Sequence, residues 1–176
     1  KFNNNDNNTK GGKIILKIKI SYFYMIRFFK PYQIPVSTAI WDPKWYHDFK
    51  KENYTFKDKN GVWNGFYYLP LAPGKSCEGL CNGADKCNSG KDPNNCKFLK
   101  EYKKQLDNID FDKMILFFKN LCDKIERTEN LKEKYDCEPE IILIVYETPN
   151  NPCSERASII NLFKQHGIEV EEFKKD

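Results

Sequence analysis

Residues Glu140–Phe173 read EIILIVYETPNNPCSERASIINLFKQHGIEVEEF, and this stretch decides the fold class. Its first seven residues form an apolar, β-branched run ending at Tyr146–Glu147, long enough for one buried strand. Thr148–Pro152 is a turn of Pro and Asn. The spacing then predicts a helix starting near Cys153–Ser154, with Glu155 in its first turn, where a negative charge suits the helix dipole. Ala157, Ile159, Ile160 and Phe163 recur at helical spacing, and Gly167 is placed to end the helix. Ile168 and Val170 alternate with Glu169 and Glu171, as in a half-buried strand. A strand, a turn, a helix and a strand in this order are one unit of an α/β fold.

Upstream, Lys1–Gly12 (KFNNNDNNTKGG) is polar and low in complexity, and is expected to be a disordered tail or linker. Residues 13–176 then form one α/β domain, a length that suits a single sizeable core. Lys13–Ile20 alternates charged and apolar residues as a strand does. Ser21–Lys30 is aromatic and stopped by Pro31; its period fits a short helix capped by Ser21 or a continuing strand, and both stay open. Val36–Ile40 is a second short strand, and Asp42–Pro43 forces a turn after it. Phe98, Leu99, Tyr102 and Leu106 mark one helix. Asp110 caps the next, with Ile109 and Met114 as its hydrophobic staple and Phe111, Met114, Ile115, Phe118, Leu121, Cys122 and Ile125 as its apolar stripe. The expected architecture is one α/β domain with a parallel or mixed sheet flanked by helices.

Between Gly74 and Cys96 the composition changes to GKSCEGLCNGADKCNSGKDPNNC. Four of the seven cysteines fall here, with spacing C-x3-C-x5-C-x8-C. Little apolar material is available to order such a segment. A structural zinc held tetrahedrally by Cys77, Cys81, Cys87 and Cys96 would order it, because forming a small metal site supplies folding free energy. Disulfides and an unordered loop with free thiols are the alternatives, and an odd total of cysteines argues against complete pairing.

Cys153 is predicted at a helix start, where backbone N–H groups and the dipole favour a thiolate or an anion, with Arg156 adding positive charge. A nucleophile, an anion cradle and a plain half-buried cysteine are all open readings, and Ser154 joins the candidate binding residues. A Cys–His pair would need His47 or His166 brought in by the fold; His166 reads better as the end of the helix. Trp41, Trp45 and Tyr46 surround Lys44 after a strand, so they can stack a base and meet a phosphate, or else pin a loop to the core. Ligands of parallel α/β sheets bind beyond the carboxyl ends of strands, and both the Trp41 loop and the Cys153 loop lie there.

A net charge of +4 over 176 residues permits a nucleic-acid partner without arguing for one. The apolar run Ile14–Phe29 is interrupted by Lys17, Lys19 and Arg27, so no membrane span is expected. With no secretory signal visible, a reducing, cytoplasmic setting is expected, in which cysteines serve metal binding or reactivity.

VSTAIWDPKWYHDFK, the later LAP at Leu71–Pro73, the helical IDFDKMILFFKNL and IVYETPNNPCSERASIINLFKQHGIEVEEF stand in an order that resembles the domain of unknown function 488 family, its small bacterial and phage members above all. ISYFYMIRFF before Pro31 fits their opening segment. The resemblance implies a compact, Rossmann-like three-layer α/β domain and points toward nucleotide- or nucleic-acid-directed enzymology. Such members usually read Cys-His-Arg at the helix start, whereas here Ser154 and Glu155 separate Cys153 from Arg156. The Gly74–Cys96 segment looks particular to this branch. The expected function is an enzyme acting on a nucleotide or nucleic acid, with Cys153 and Arg156 at its centre and Trp41, Lys44, Trp45, Tyr46 and Ser154 around the substrate. A non-catalytic, zinc-containing protein that engages nucleic acid or a partner protein is the other reading.

Overall fold

The computed structural model describes residues 16–46, 56–57, 63–81, 87 and 90–176. The expected polar tail at 1–12, and His47, lie outside the described residues. The strands are β1 (Lys17–Tyr22), β2 (Gln33–Ser37), β3 (Phe56–Lys57), β4 (Trp63–Asn64), β5 (Phe66–Tyr67), β6 (Glu140–Val145) and β7 (Glu171–Glu172), and the helices are α1 (Lys97–Asp107), α2 (Phe111–Glu129), α3 (Leu131–Tyr135) and α4 (Arg156–Gln165). Five strands form one sheet in the order β5-β2-β6-β1-β7, and every pairing in it is parallel. β3 and β4 make a separate antiparallel pair.

β6 is the centre. Its six residues are all buried, which explains why EIILIV carries no polar alternation. It pairs Ile141 with both Ile18 and Ile34, and Leu143 with both Ile20 and Val36. Those residues form one face of the sheet and pack under α1, α2 and α4. Ile142 and Ile144 point the other way, into a smaller cluster with Phe23, Ile26, Phe29, Ala39, Tyr46 and Phe173. That second face is covered by a 3₁₀ helix, Phe23–Phe28, and by the loop after β2, so the α-helices all lie on one side. The aromatic segment Ser21–Lys30 thus divides: Ser21 and Tyr22 finish β1, and the tighter helix follows.

The crossover from β1 to β2 runs over the aromatic face in one direction across the sheet. Those from β5 to β6 and from β6 to β7 run over the α-helical face in the opposite direction. Reversing both direction and face keeps one hand throughout, as parallel connections require. Local chemistry agrees. Asp110 accepts the Lys113 N–H (3.0 Å) to cap α2, and the stripe Phe111, Met114, Phe118, Leu121, Cys122 and Ile125 is buried as expected. Asn130 ends that helix in the left-handed region at φ 50°, a conformation Asn adopts more readily than most residues. Pro35 sits in β2 where β5 pairs only Val36 and Ser37. Its carbonyl accepts from the Tyr46 hydroxyl at 3.2 Å, so its missing N–H removes no ladder bond.

Leu143→Ala should lower unfolding free energy by about 2–5 kcal/mol, because Leu143 is fully buried between β1 and β2 and its truncation leaves a cavity in the core. Urea denaturation of the two proteins checks this; a loss below about 1 kcal/mol would mean that β6 is not the centre of the core.

Candidate functional site at the carboxyl ends of the strands

β2 and β6 are neighbours, yet the loop after β2 turns to the aromatic face and the loop after β6 turns to α4 on the other. Adjacent strands whose exits diverge leave a crevice at their carboxyl ends. Its floor is tied by Thr38, whose N–H (2.9 Å) and Oγ1 (3.0 Å) both donate to the Ile144 carbonyl. The Ser37 hydroxyl donates to Asp42 Oδ1 (2.6 Å), which folds the Asp42–Pro43 turn back over the strand end.

Tyr46 anchors that loop. It is buried, its hydroxyl lies 2.8 Å from the Phe66 carbonyl as well as against Pro35, and its ring meets Phe23 edge-on at 5.2 Å. Burial, and then the charge of Asp42, push its phenol well above the ordinary range, so it stays a neutral donor. Trp41, Lys44 and Trp45 are exposed instead, Trp41 at 78 %. Trp45 and Tyr146 both meet Phe23, at 6.2 and 6.4 Å, so the loops after β1, β2 and β6 come together around one ring. Ala39, Trp41, Asp42, Lys44, Tyr46 and Tyr67 line a cavity of ≈ 510 Å³ beside them. Phe23 is thus the joint of this rim, with Tyr146 as a member no motif singled out, while none of these contacts includes Cys153 or Arg156.

The Cys153 end is arranged otherwise. α4 begins at Arg156, three residues beyond Cys153, because the Asn-Pro turn extends to Ser154. The Cys153 N–H is taken by Asn151 Oδ1 (3.0 Å), the Ser154 N–H by the Asn151 carbonyl (3.3 Å), and the Arg156 N–H by the Ser154 hydroxyl (3.2 Å). Three backbone donors around Cys153 are thus spent locally. Burial raises the Cys153 thiol, and the nearby thiols Cys96, Cys87 and Cys81 raise it further, so it is held protonated rather than activated at neutral pH.

Arg156 is buried. Its Nε bonds Glu172 Oε2 at 3.0 Å and its two terminal nitrogens reach the Glu147 carbonyl at 3.3 and 3.1 Å. It ties β7 and the end of β6 to the start of α4. Glu155 is buried beside it and its carboxyl is pushed up to about 8, by burial first and then by the charge and hydrogen bond of Glu147. One oxygen each of Glu147, Glu155 and Glu172 is buried without a hydrogen-bond partner. Sequence reading missed this acid group; its signal is Glu147, Glu155 and Glu172 placed at one strand end, one helix start and a neighbouring strand. His166 closes α4 and stacks on Phe111 at 3.7 Å.

In the cysteine segment, Cys77 and Cys96 are buried, Cys87 is half-buried and Cys81 is exposed. Cys77, Cys81, Cys96, Cys122, Cys137 and Cys153 are not joined in disulfides. Among the described residues no three His, Cys, Asp or Glu side chains stand close enough to grip a metal, and no helix is long and apolar enough to cross a membrane. A larger cavity of ≈ 800 Å³ lies at the opposite, amino end of the sheet, where Lys17, Lys19 and Lys30 face Asp136, Glu138 and Glu140. Its charges are partly spent, on Lys19–Glu140 (2.9 Å) and Lys132–Glu138 (3.2 Å).

No family model, curated protein or solved structure matches this chain.

Glu155 sets a pH dependence. Its native pKa of about 8 exceeds the ordinary 4.5, so the folded state holds the proton more tightly. The stability this provides is complete below pH 4.5 and lost as pH rises through 8, at up to about 1.4 kcal/mol per pH unit. Glu172, raised by burial against the opposing charge of Arg156, acts in the same sense. Chemical denaturation between pH 5 and pH 8 should show native stability falling relative to Glu155→Gln; a constant difference would contradict the buried acid.

Proposed function

We propose that this protein binds a nucleotide or single-stranded nucleic acid at the carboxyl ends of β2 and β6, with Trp41 and Trp45 stacking on bases and Lys44 meeting phosphate. We read the reversal of strand order there as a doubly wound, Rossmann-like arrangement. The observation that carries the proposal is the exposure of two tryptophans beside a lysine at this crevice, over a loop locked by the buried Tyr46. Large aromatic rings that served only to pin the loop would be buried like Tyr46. Stacking is tolerant of base identity, and the mild positive charge adds a salt-sensitive attraction.

A nucleotide-directed enzyme is the second reading, and the raised Glu155 favours it. A carboxylic acid titrating near neutral pH beside a second carboxyl is suited to proton transfer. On that reading the proton work belongs to Glu147 and Glu155, and Arg156 positions them.

Titrating the protein with a short oligothymidylate while following tryptophan fluorescence tests the binding proposal. Quenching is expected. Trp41→Ala should weaken binding by about 5- to 150-fold, the share of one stacked base, and Lys44→Ala should reduce the salt slope by about one. Binding unchanged in the Trp41→Ala, Trp45→Ala double variant would refute it.

A further inference from the structure

Asp42 has more hydrogen-bonding capacity than the fold uses. The Ser37 hydroxyl accepts the Ala39 N–H at 3.3 Å and donates to Asp42 Oδ1 at 2.6 Å, so its one proton is committed and the carboxylate is held in one orientation. The Asp42–Pro43 turn does not need the other oxygen, because the Tyr46 N–H closes it on the Pro43 carbonyl at 2.9 Å. Among the described residues no further donor reaches this carboxylate. Asp42 stands half-buried in the wall of the ≈ 510 Å³ cavity that Trp41 and Lys44 also line. A carboxylate repels phosphate, so a site that held only the backbone of a nucleic acid would be weakened by it. Its spare oxygen is instead suited to a neutral group that donates a hydrogen bond.

Along the loop the order is Trp41, Asp42, Lys44, and along a nucleotide it is base, sugar, phosphate. With a base on Trp41 and its phosphate at Lys44, the sugar is the part that falls to Asp42. Within a strand the 3′ and 5′ oxygens are esterified, and only a 2′-hydroxyl has a proton to give. We propose that Asp42 accepts a hydrogen bond from the ribose 2′-hydroxyl, and that the crevice therefore selects RNA over DNA. This inference rests on the binding proposed above and names its substrate class. Ser37 is the positioning residue, since its hydroxyl fixes how the carboxylate faces the cavity. A deoxyribose strand would desolvate that carboxylate and return no donor, so DNA is penalised and not merely unrewarded.

Matched oligouridylates with ribose, 2′-deoxyribose and 2′-fluoro sugars, titrated into the full chain by tryptophan fluorescence, test it. The 2′-fluoro sugar keeps the pucker of ribose but has no proton to donate. The ribose oligomer should bind about 10- to 150-fold more tightly than either of the others, the worth of one hydrogen bond to a charged acceptor. Asp42→Asn keeps an oxygen for Ser37, and should cut that advantage by about threefold or more while tightening the deoxyribose complex, from which a repelling charge is gone. Should this variant fail to fold, the comparison of sugars on the native chain decides alone. A ribose advantage below about tenfold, or a 2′-fluoro oligomer bound as tightly as ribose, overturns the inference and leaves the binding proposal standing. So does an advantage that Asp42→Asn leaves unchanged. No quenching by any of the oligomers refutes the binding proposal itself, and this inference with it.

Discussion

The parallel pairing of β6 with β1 on one side and β2 on the other is the constraint on which the rest depends. A strand bonded on both edges and covered on both faces can carry no polar side chain in its middle, and EIILIV carries none. The one carboxylate of β6, Glu140, lies at its start, where Gln33 (3.0 Å) and Lys19 (2.9 Å) satisfy it. Because β1 and β2 both border β6, the chain has to cross the sheet between them, and the only bridge is the 3₁₀ helix Phe23–Phe28. That bridge places Phe23 against Trp45, Tyr46 and Tyr146. The strand order of the core thereby fixes which loops meet at the carboxyl edge.

Two kinds of polar chemistry occupy that edge, and they differ in accessibility. On the β2 side the loop is locked from beneath and offers its rings outward. On the α4 side the charges are buried and answer one another. A buried arginine with its acceptors gains little net stability over an apolar replacement, but losing one partner is costly, so Arg156 holds the register of β7 and α4. Gln105 does comparable work for the cysteine segment: it accepts the Gly74 N–H (2.8 Å) and donates to the Pro70 and Ala72 carbonyls (3.0 and 2.8 Å), fastening the LAPG turn to α1.

The α/β class was legible because β6, α2 and α4 carry strong periodic signals, and the stripe of α2 lies where its residues put it. The start of α4 was less legible. Ser154 resembles an N-cap by residue type, but Asn151 captures the preceding N–H groups and delays the helix to Arg156. That delay of one turn changes the chemistry expected of Cys153. The division of Ser21–Lys30 into strand and 3₁₀ helix could not be read, because aromatic residues suit both and the choice depends on covering Ile142 and Ile144. The Trp41 loop was legible as a candidate, whereas the sorting of Tyr46 inward and Trp41 outward depends on the carbonyls of Pro35 and Phe66, which no local pattern reveals. The acid group of Glu147, Glu155 and Glu172 joins three elements and has no signature within any one of them.

Where a bound strand touches the protein is the most direct question for this account. Photo-crosslinking a 4-thiothymidine-substituted oligonucleotide to the native chain, followed by peptide mapping, answers it. The account predicts adducts in the 40–46 loop and at Tyr146, on the rim where the exits of β2 and β6 diverge. Adducts confined to the lysine-lined cavity at the amino end of the sheet, around Lys17 and Lys30, would contradict it.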